Sequence, residues 1–422
     1  MTTTATAIGI GYTDRLLSDG EIGSVLDDAF ADWDLDNKRV LILIPDGTRS
    51  CPLDVIFPMV YERLADRVDL LDFMIALGTH TPMSEAQIYD RVGIDAAAHQ
   101  SQYQKAKFFN HAWDDPEALT QVGIFTKTDI EELTEGAFNQ ELVVTCNRKI
   151  LDYDLLLICG PVFPHEIAGF SGGNKYIFPG ISGSAAIDFS HWLAALATNY
   201  ETIGRKDTPA RRVIDRCASL LKIDRRALCM VEKQGGLAGL FAGIVEEAWS
   251  DAVDLSAQVH IEHYDHPFHT VFACCPPMYD DLWTGAKAMY KSEPVVAEGG
   301  RVIIYAPHIT QISKVHGKTI EAVGFHVRDY FVKQWDRFKH YPWSELTFVT
   351  GVAGRGTYED GVETKRVEVI LATGISEDVC RRTNISYMDP ASINPADYQG
   401  REDEGILYIP KAGERLYRQR EK

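Results

Sequence analysis

The sequence predicts an α/β protein of two α/β domains, an N-terminal one on a doubly wound, mostly parallel sheet and a smaller C-terminal one, with the active site in the cleft between them. Three observations carry this expectation. Short apolar runs (Arg39 to Ile44, Leu71 to Leu77, Leu155 to Cys159) read as strands buried on both faces. Each gives way to a polar or glycine-rich stretch and then to a helical pattern, the alternation of βα units. A chain of 422 residues also exceeds what one hydrophobic core usually holds. The expected domains are 1–268 and 269–422, with the last ~25 residues free to pack back on the first domain.

Composition narrows the partners. A net charge of −19 argues against nucleic acid or an anionic membrane surface, and leaves an anionic small molecule possible only in a locally positive pocket. No apolar run approaches the ~20 residues that span a bilayer. Met1 to Thr6 lacks the pattern of a signal peptide. The eight cysteines (Cys51, Cys146, Cys159, Cys217, Cys229, Cys274, Cys275 and Cys380) form no C-x-x-C pair, so free thiols in the cytoplasm are expected.

Ile22 to Phe30 is weakly amphipathic. Gly9-x-Gly11 is not a nucleotide fingerprint, because no convincing strand precedes it and the third glycine is missing. The strand Arg39 to Ile44 ends at Pro45, and Asp46-Gly47-Thr48-Arg49 lead into a helix, Pro52 to Leu64. Ligands of open α/β sheets bind at such carboxyl ends. Asp46 and Thr48 either cap that helix or bind a ligand; Arg49, with its forked donors, suits a carboxylate or phosphate. Leu71 to Leu77 delivers Gly78-Thr79-His80, and Ser84-Glu85 reads as the next helix start. Phe108 to His111 is a further strand end, with His111 structural.

Leu155 to Cys159 leads into the densest stretch of the chain. Pro164-His165-Glu166-Ile167-Ala168-Gly169-Phe170-Ser171-Gly172-Gly173-Asn174-Lys175 continues through Pro179-Gly180 to His191. Glycines let backbone N–H groups approach an anion, and a lysine on such a turn is a phosphate partner or, if desolvated, a nucleophile. The plainer alternative is a loop that needs glycine for its shape. Residues 208–248 read as helical (Arg211 to Leu221, Leu240 to Trp249). His260-x-x-His263-x-x-His266-Pro267-x-His269 reads as a solvated linker, since Pro267 breaks any helix that would align the rings and the spacing fits no standard zinc pattern. In the second half, strands are expected at Thr270 to Cys275, Val302 to Ala306, Leu346 to Thr350 and Val367 to Leu371. Helices are expected at Trp283 to Tyr290, which carries Lys287, and at Thr319 to Val323 and Phe325 to Phe338. Ile406 to Ile409 is a candidate edge strand.

Four blocks now combine: Pro45-Asp46-Gly47-Thr48-Arg49, Gly78-Thr79-His80-x-Pro82-Met83, Pro164-His165-x-x-Ala168-Gly169-Phe170-Ser171-Gly172-Gly173-x-Lys175, and His191. In that order they resemble the lactate racemase family, most strongly from Ile44 to Trp192. The resemblance implies a racemase or epimerase of a 2-hydroxy acid that uses a covalently attached nickel-pincer nucleotide, a pyridinium-3-thioamide-5-thiocarboxylate mononucleotide. It implies Lys175 as the covalent tether, His191 as a nickel ligand, and His80 and His165 as the acid–base pair. Arg49 and Lys287 match residues that hold anions of substrate and cofactor; Asp46, Thr48, Ser171, Gly172 and Gly173 are expected at the cofactor. The implied partners are a small-molecule 2-hydroxy acid and the proteins that make the cofactor and insert nickel. Trp283 and Thr284 stand where the lactate enzymes carry tyrosine and glutamine, Thr81 where arginine is frequent, and Cys274-Cys275-Pro276-Pro277 where a glycine-rich turn is usual. These departures fall where substrate is recognised, so a 2-hydroxy acid other than lactate is expected.

Three other readings compete. A nicotinamide-dependent 2-hydroxy acid dehydrogenase would show a complete G-x-G-x-x-G. A non-catalytic binder of phosphorylated small molecules would use the Ser171-Gly172-Gly173 turn but would not need three histidines. A zinc hydrolase lacks any supporting ligand spacing.

Overall fold

Fully buried parallel strands form the centre of the first sheet, as their unbroken apolar runs require. The computed structural model describes residues 7–48 and 50–420. In chain order the strands of this sheet are β1 (Ile8–Gly11), β2 (Arg39–Ile44), β3 (Leu70–Ile75), β4 (Ala106–Asn110), β5 (Leu155–Pro161), β6 (Asp224–Lys233) and β7 (Gly236–Ile244). Their spatial order is β1-β7-β6-β5-β2-β3-β4. From β6 to β4 the pairing is parallel throughout, and β7 and β1 add antiparallel strands on one side. The chain winds outward from β2 through β3 to β4 and then returns to place β5 on the other side of β2. That reversal makes the carboxyl ends of β2 and β5 a topological switch point, the usual place for a ligand on such a sheet.

Helices pack on this sheet by apolar stripes. Helix α1 (Asp19–Asp32) begins with a capping box, Ser18 with Glu21, and buries Ile22, Val25, Leu26, Ala29 and Phe30. Helix α2 (Leu53–Leu64) buries Ile56, Phe57, Val60, Tyr61 and Leu64. Phe57 meets Phe73 of β3 at 5.1 Å and Phe108 of β4 at 5.7 Å between ring centroids. Each such ring contributes roughly 1.5–3 kcal/mol by leaving water. Gly9 and Gly11 of β1 are glycines because the Phe241 and Leu255 side chains of the neighbouring elements lie where a Cβ would stand, 2.4 Å away in each case.

By internal contacts the chain divides into two compact units. One comprises Met1–Phe163, Phe170–Ile187 and Arg211–Val259; the other comprises Pro164–Gly169, Asp188–Ala210 and His260–Lys422. The second unit has its own five-stranded sheet. Its strands are β8 (Phe268–Cys274), β9 (Val296–Ala306), β10 (Glu368–Thr373), β11 (Ser386–Tyr387) and β12 (Ile406–Ile409). They lie in the order β11-β10-β9-β8-β12, all parallel, with Ile406–Ile409 on the edge as expected.

Several expectations need correction. Leu240 does not start a helix: β6 and β7 form an antiparallel hairpin, and the helix α6 (Val245–His260) begins only after it. Leu346 to Thr350 is not a strand but the middle of a helix, Trp343–Ala353, buried from Ser344 through Ala353. A short run that is apolar all round has the same pattern in a buried strand and a buried helix. Phe325 to Phe338 holds two short helical segments, Arg328–Val332 and Trp335–Phe338, rather than one helix. The histidine stretch is a solvated linker only in part: His263, His266 and His269 are exposed, but the segment is not irregular. His260 is 5% exposed at the end of α6, Ile261–Tyr264 pairs in parallel with Leu416–Gln419, and His269 bonds Thr270 and the Glu404 carbonyl.

His111 is structural. Its Nε2–H donates to the Ser182 carbonyl at 2.9 Å, and its Nδ1 accepts from Asn147 at 3.1 Å. Burial pushes its pKa down to about 4, against smaller opposing effects of Ser182 and Asp114. A depressed folded-state value means stability present above the unfolded pKa and lost as pH falls. Between about pH 7.5 and pH 5, wild type is therefore expected to lose about 2 kcal/mol more than His111→Gln, read from urea midpoints. Equal pH dependence in the two proteins would show that His111 is not held neutral.

Candidate active site

The loops after β2, β3 and β5 leave the first sheet at the carboxyl edge. After β2, Asp46 is 6% exposed and Thr48 donates to its Oδ1 through both N–H (3.1 Å) and Oγ1 (2.7 Å). After β3, His80 brings its Nδ1 within 2.5 Å of the other Asp46 oxygen. The helix-cap alternative for these residues does not hold, because Pro52 is the N-cap of α2 and makes no side-chain cap bond. A carboxylate at Nδ1 fixes that nitrogen as the N–H and leaves Nε2 with its lone pair, the form of a general base. Gly47 and Gly78 border open space: a Cβ on either would meet nothing within 4 Å. Arg49 lies outside the described residues.

The glycine turn after β5 is satisfied from within. Ser171 Oγ donates to the Pro161 carbonyl (2.9 Å) and accepts from Phe163 N–H (3.0 Å). Trp249 Nε1 donates to the Ser171 carbonyl at 2.8 Å. Arg211, 3% exposed, donates to the carbonyls of Phe170 and Gly172 and stacks 4.1 Å over the Trp249 ring. Burial pushes the Arg211 guanidinium down to about 10, with Asp215 opposing, so it remains a cation at neutral pH. Gly172 and Gly173 have φ of 79° and 59°, and a Cβ on Gly173 would stand 2.9 Å from the Trp249 ring. These glycines thus serve backbone shape and close packing on Trp249. Asn174 completes the lock: its amide donates to Asp215 and Glu246, and its oxygen accepts from Arg225.

This locked turn presents one side chain. From Ile167 to Gly183, Lys175 alone is not buried. Its carbonyl accepts from Gly180 N–H at 3.1 Å, and the Gly180 carbonyl accepts from Gly78 N–H at 2.9 Å. The lysine turn is thereby tied to the loop that carries His80. A partly exposed lysine on a densely bonded turn, tied through Gly180 to the loop of Gly78 and its open space, fits a residue that holds a covalently attached group.

The remaining residues belong to the second unit. His165 is 4% exposed; its Nδ1 accepts from Ile167 N–H at 3.1 Å, and a Glu166 oxygen lies 3.6 Å from the same nitrogen. His191 is partly exposed on the helix Ser184–Ala197, next to Trp192, whose ring stacks on Trp335 at 5.1 Å. Trp283, Thr284 and Lys287 share the segment formed by the helices Leu282–Gly285 and Lys287–Ser292. The Thr284 N–H and hydroxyl both bond Asp281, which caps the segment. Lys287 is 8% exposed, with Nζ 5.0 Å from the centroid of the Tyr279 ring. Cys275 is buried with its thiol pushed up to about 12 by desolvation, so it is no nucleophile at neutral pH.

Sequence reasoning did not find Asp46 as the partner of His80, nor Arg211 and Trp249 as the supports of the lysine turn. Glu166, next to a histidine already singled out, was the one such group with a local signal.

Residues 25–204 match the family model of the lactate racemase N-terminal domain. The lactate racemases of Thermoanaerobacterium thermosaccharolyticum and Lactiplantibacillus plantarum are each 22% identical over 64% of this chain, which spans 60% of their length. A crystal structure of a Thermotoga maritima protein is 30% identical, with a TM-score of 0.88 over 97% of this chain and 100% of that one. The lactate racemase apoprotein of T. thermosaccharolyticum shares the fold, with a TM-score of 0.69 at 17% identity over 98% of this chain and 100% of that one. The lysine turn and the paired His80 lie within residues 25–204, and that stretch belongs to the lactate racemase family as its N-terminal domain.

Proposed function

We propose that the protein racemises or epimerises a 2-hydroxy acid, with a nickel-pincer nucleotide tethered to Lys175 and ligated by His191. The observation that supports this most directly is the Asp46–His80 pair at the carboxyl edge of the sheet, on a loop tied through Gly180 to the lysine turn. The hydrogen on C2 of a 2-hydroxy acid is a poor acid, because the neighbouring carboxylate disfavours a carbanion. When bound, the group that Lys175 and His191 would hold would supply the alternative, a reversible two-electron acceptor for the hydrogen on C2.

The chain's own residues then handle the proton. His80, its Nδ1–H donated to Asp46, accepts the hydroxyl proton at Nε2 as C2 is oxidised, and the substrate becomes a planar 2-oxo acid. His165 serves the opposite enantiomer, whose hydroxyl points the other way. To donate a proton it must first be an imidazolium, a form that the charge of the Glu166 carboxylate, 3.6 Å from Nδ1, favours. Lys287 suits the substrate carboxylate as a buried cation.

The test uses cofactor-loaded protein and a panel of enantiopure 2-hydroxy acids deuterated at C2. Inversion with the deuterium retained in the product is expected. Loss of the label to solvent would establish proton abstraction instead, and unchanged configuration across the panel would remove the racemase reading.

A further inference from the structure

Within the second unit a further histidine–carboxylate pair stands outside the roles assigned above. His316 Nδ1 and Glu345 Oε1 are 2.7 Å apart, with 7% and 6% of their side chains exposed. The other Glu345 oxygen accepts from Ser344 Oγ at 2.8 Å. Burial alone would push the Glu345 carboxyl up, but the hydrogen bonds from His316 and Ser344 more than offset this and hold it below its usual range. The carboxylate is therefore charged and accepts the Nδ1–H of His316. A histidine that only fills a core uses both ring nitrogens, as His111 does. Among the described residues nothing bonds Nε2 of His316, and that nitrogen is not sealed from solvent.

Its surroundings point toward substrate. The His316 ring lies 4.4 Å from the Trp283 ring, which also stacks on Phe348 at 4.6 Å. Trp283 N–H donates to the Ile312 carbonyl and Leu282 N–H to the Gln311 carbonyl, which fixes the segment leading to His316 against the start of the helix. Trp283 precedes Lys287 by one helical turn, so their side chains share a face. An ammonium, a flat indole and an open imidazole nitrogen thus follow one another.

We propose that His316 recognises a hydroxyl remote from C2, and that the substrate is a polyhydroxylated 2-hydroxy acid. This rests on the racemase reading, in which Lys287 holds the carboxylate. With Nδ1 held by the carboxylate, the imidazole presents Nε2 alone to an incoming hydroxyl, a group that can either donate or accept and so satisfies it. An alkyl chain in the same place would desolvate that nitrogen with nothing in return, and sites built to bond a hydroxyl reject analogues that lack it. The methyl group of lactate is too short to run from a carboxylate at Lys287 past the indole. Glu345 is the positioning residue that holds the tautomer.

The experiment compares kcat/KM of cofactor-loaded protein for three 2-hydroxy acids of equal carbon count: polyhydroxylated, deoxygenated beyond C2, and dicarboxylic. The polyhydroxylated acid is expected to exceed the deoxygenated one by roughly tenfold or more. His316→Phe, which keeps an aromatic ring against Trp283, should lower that ratio by about the same factor, and Glu345→Gln by a smaller one. His316→Gln, checked for an unchanged melting temperature, retains a hydrogen-bonding group and should keep part of the ratio. A ratio near one in wild type, a ratio untouched by His316→Phe, or preference for the dicarboxylic acid overturns the proposal. Absence of turnover for all three by protein with the Lys175 adduct overturns the racemase reading itself, a separate result.

Discussion

Lys175→Ala, produced alongside the cofactor-making enzymes, is expected to show the mass of the bare chain where wild type shows an adduct. Its racemisation should fall by on the order of a thousandfold or more, roughly 4 kcal/mol of transition-state stabilisation. The reason is local. The turn around Lys175 is closed by Arg211, Trp249 and Asn174, and only the lysine emerges from it. No neighbour on that turn offers a second amine. Lys175→Arg should fail equally, since a guanidinium stays protonated and is a poor nucleophile. An adduct of undiminished mass on either variant would place the tether elsewhere.

The second large effect concerns the two bases. His80→Ala and His165→Ala are each expected to keep the adduct and lose roughly 10²–10⁴-fold in kcat. Both should lose turnover in both directions, because each enantiomer's reaction ends where the other's begins. Asp46→Asn should reduce kcat by a smaller factor with little change in KM, since it alters the tautomer preference of His80 and not a contact to substrate. Near-normal turnover in either histidine variant would rule out a two-base scheme.

The strands were legible because strands buried on both faces must be apolar at every position, as in Val40 to Ile44 and Leu155 to Cys159. The same property made Leu346 to Thr350 unreadable, since a helix buried on all sides looks identical over five residues. The hairpin from Asp224 to Ile244 was missed because alternating small and large residues with glycine at intervals also fit a helical stripe. At the site, the chemistry-bearing residues could be named from the sequence, but not what holds them. Asp46 and His80 are separated by 34 residues, Ser171 and Trp249 by 78, and such pairs exist only once the sheet has assembled. The Ser171 turn shows the limit well. Its serine and glycines have the composition of an anion cradle, yet the hydroxyl bonds Pro161 and Phe163 and the glycines pack on Trp249.

The alternation of the chain between its two units has a consequence for biosynthesis. The first unit takes its last part from Arg211–Val259, while Asp188–Ala210, which precedes that part, is grouped with residues from His260 onward. As the nascent polypeptide leaves the ribosome, the first sheet cannot close until β6 and β7 have emerged, and the segment bearing His191 must wait longer for its own partners. Apolar surface is exposed throughout that interval, so chaperone demand during translation is set by the order in which segments appear and not by length alone.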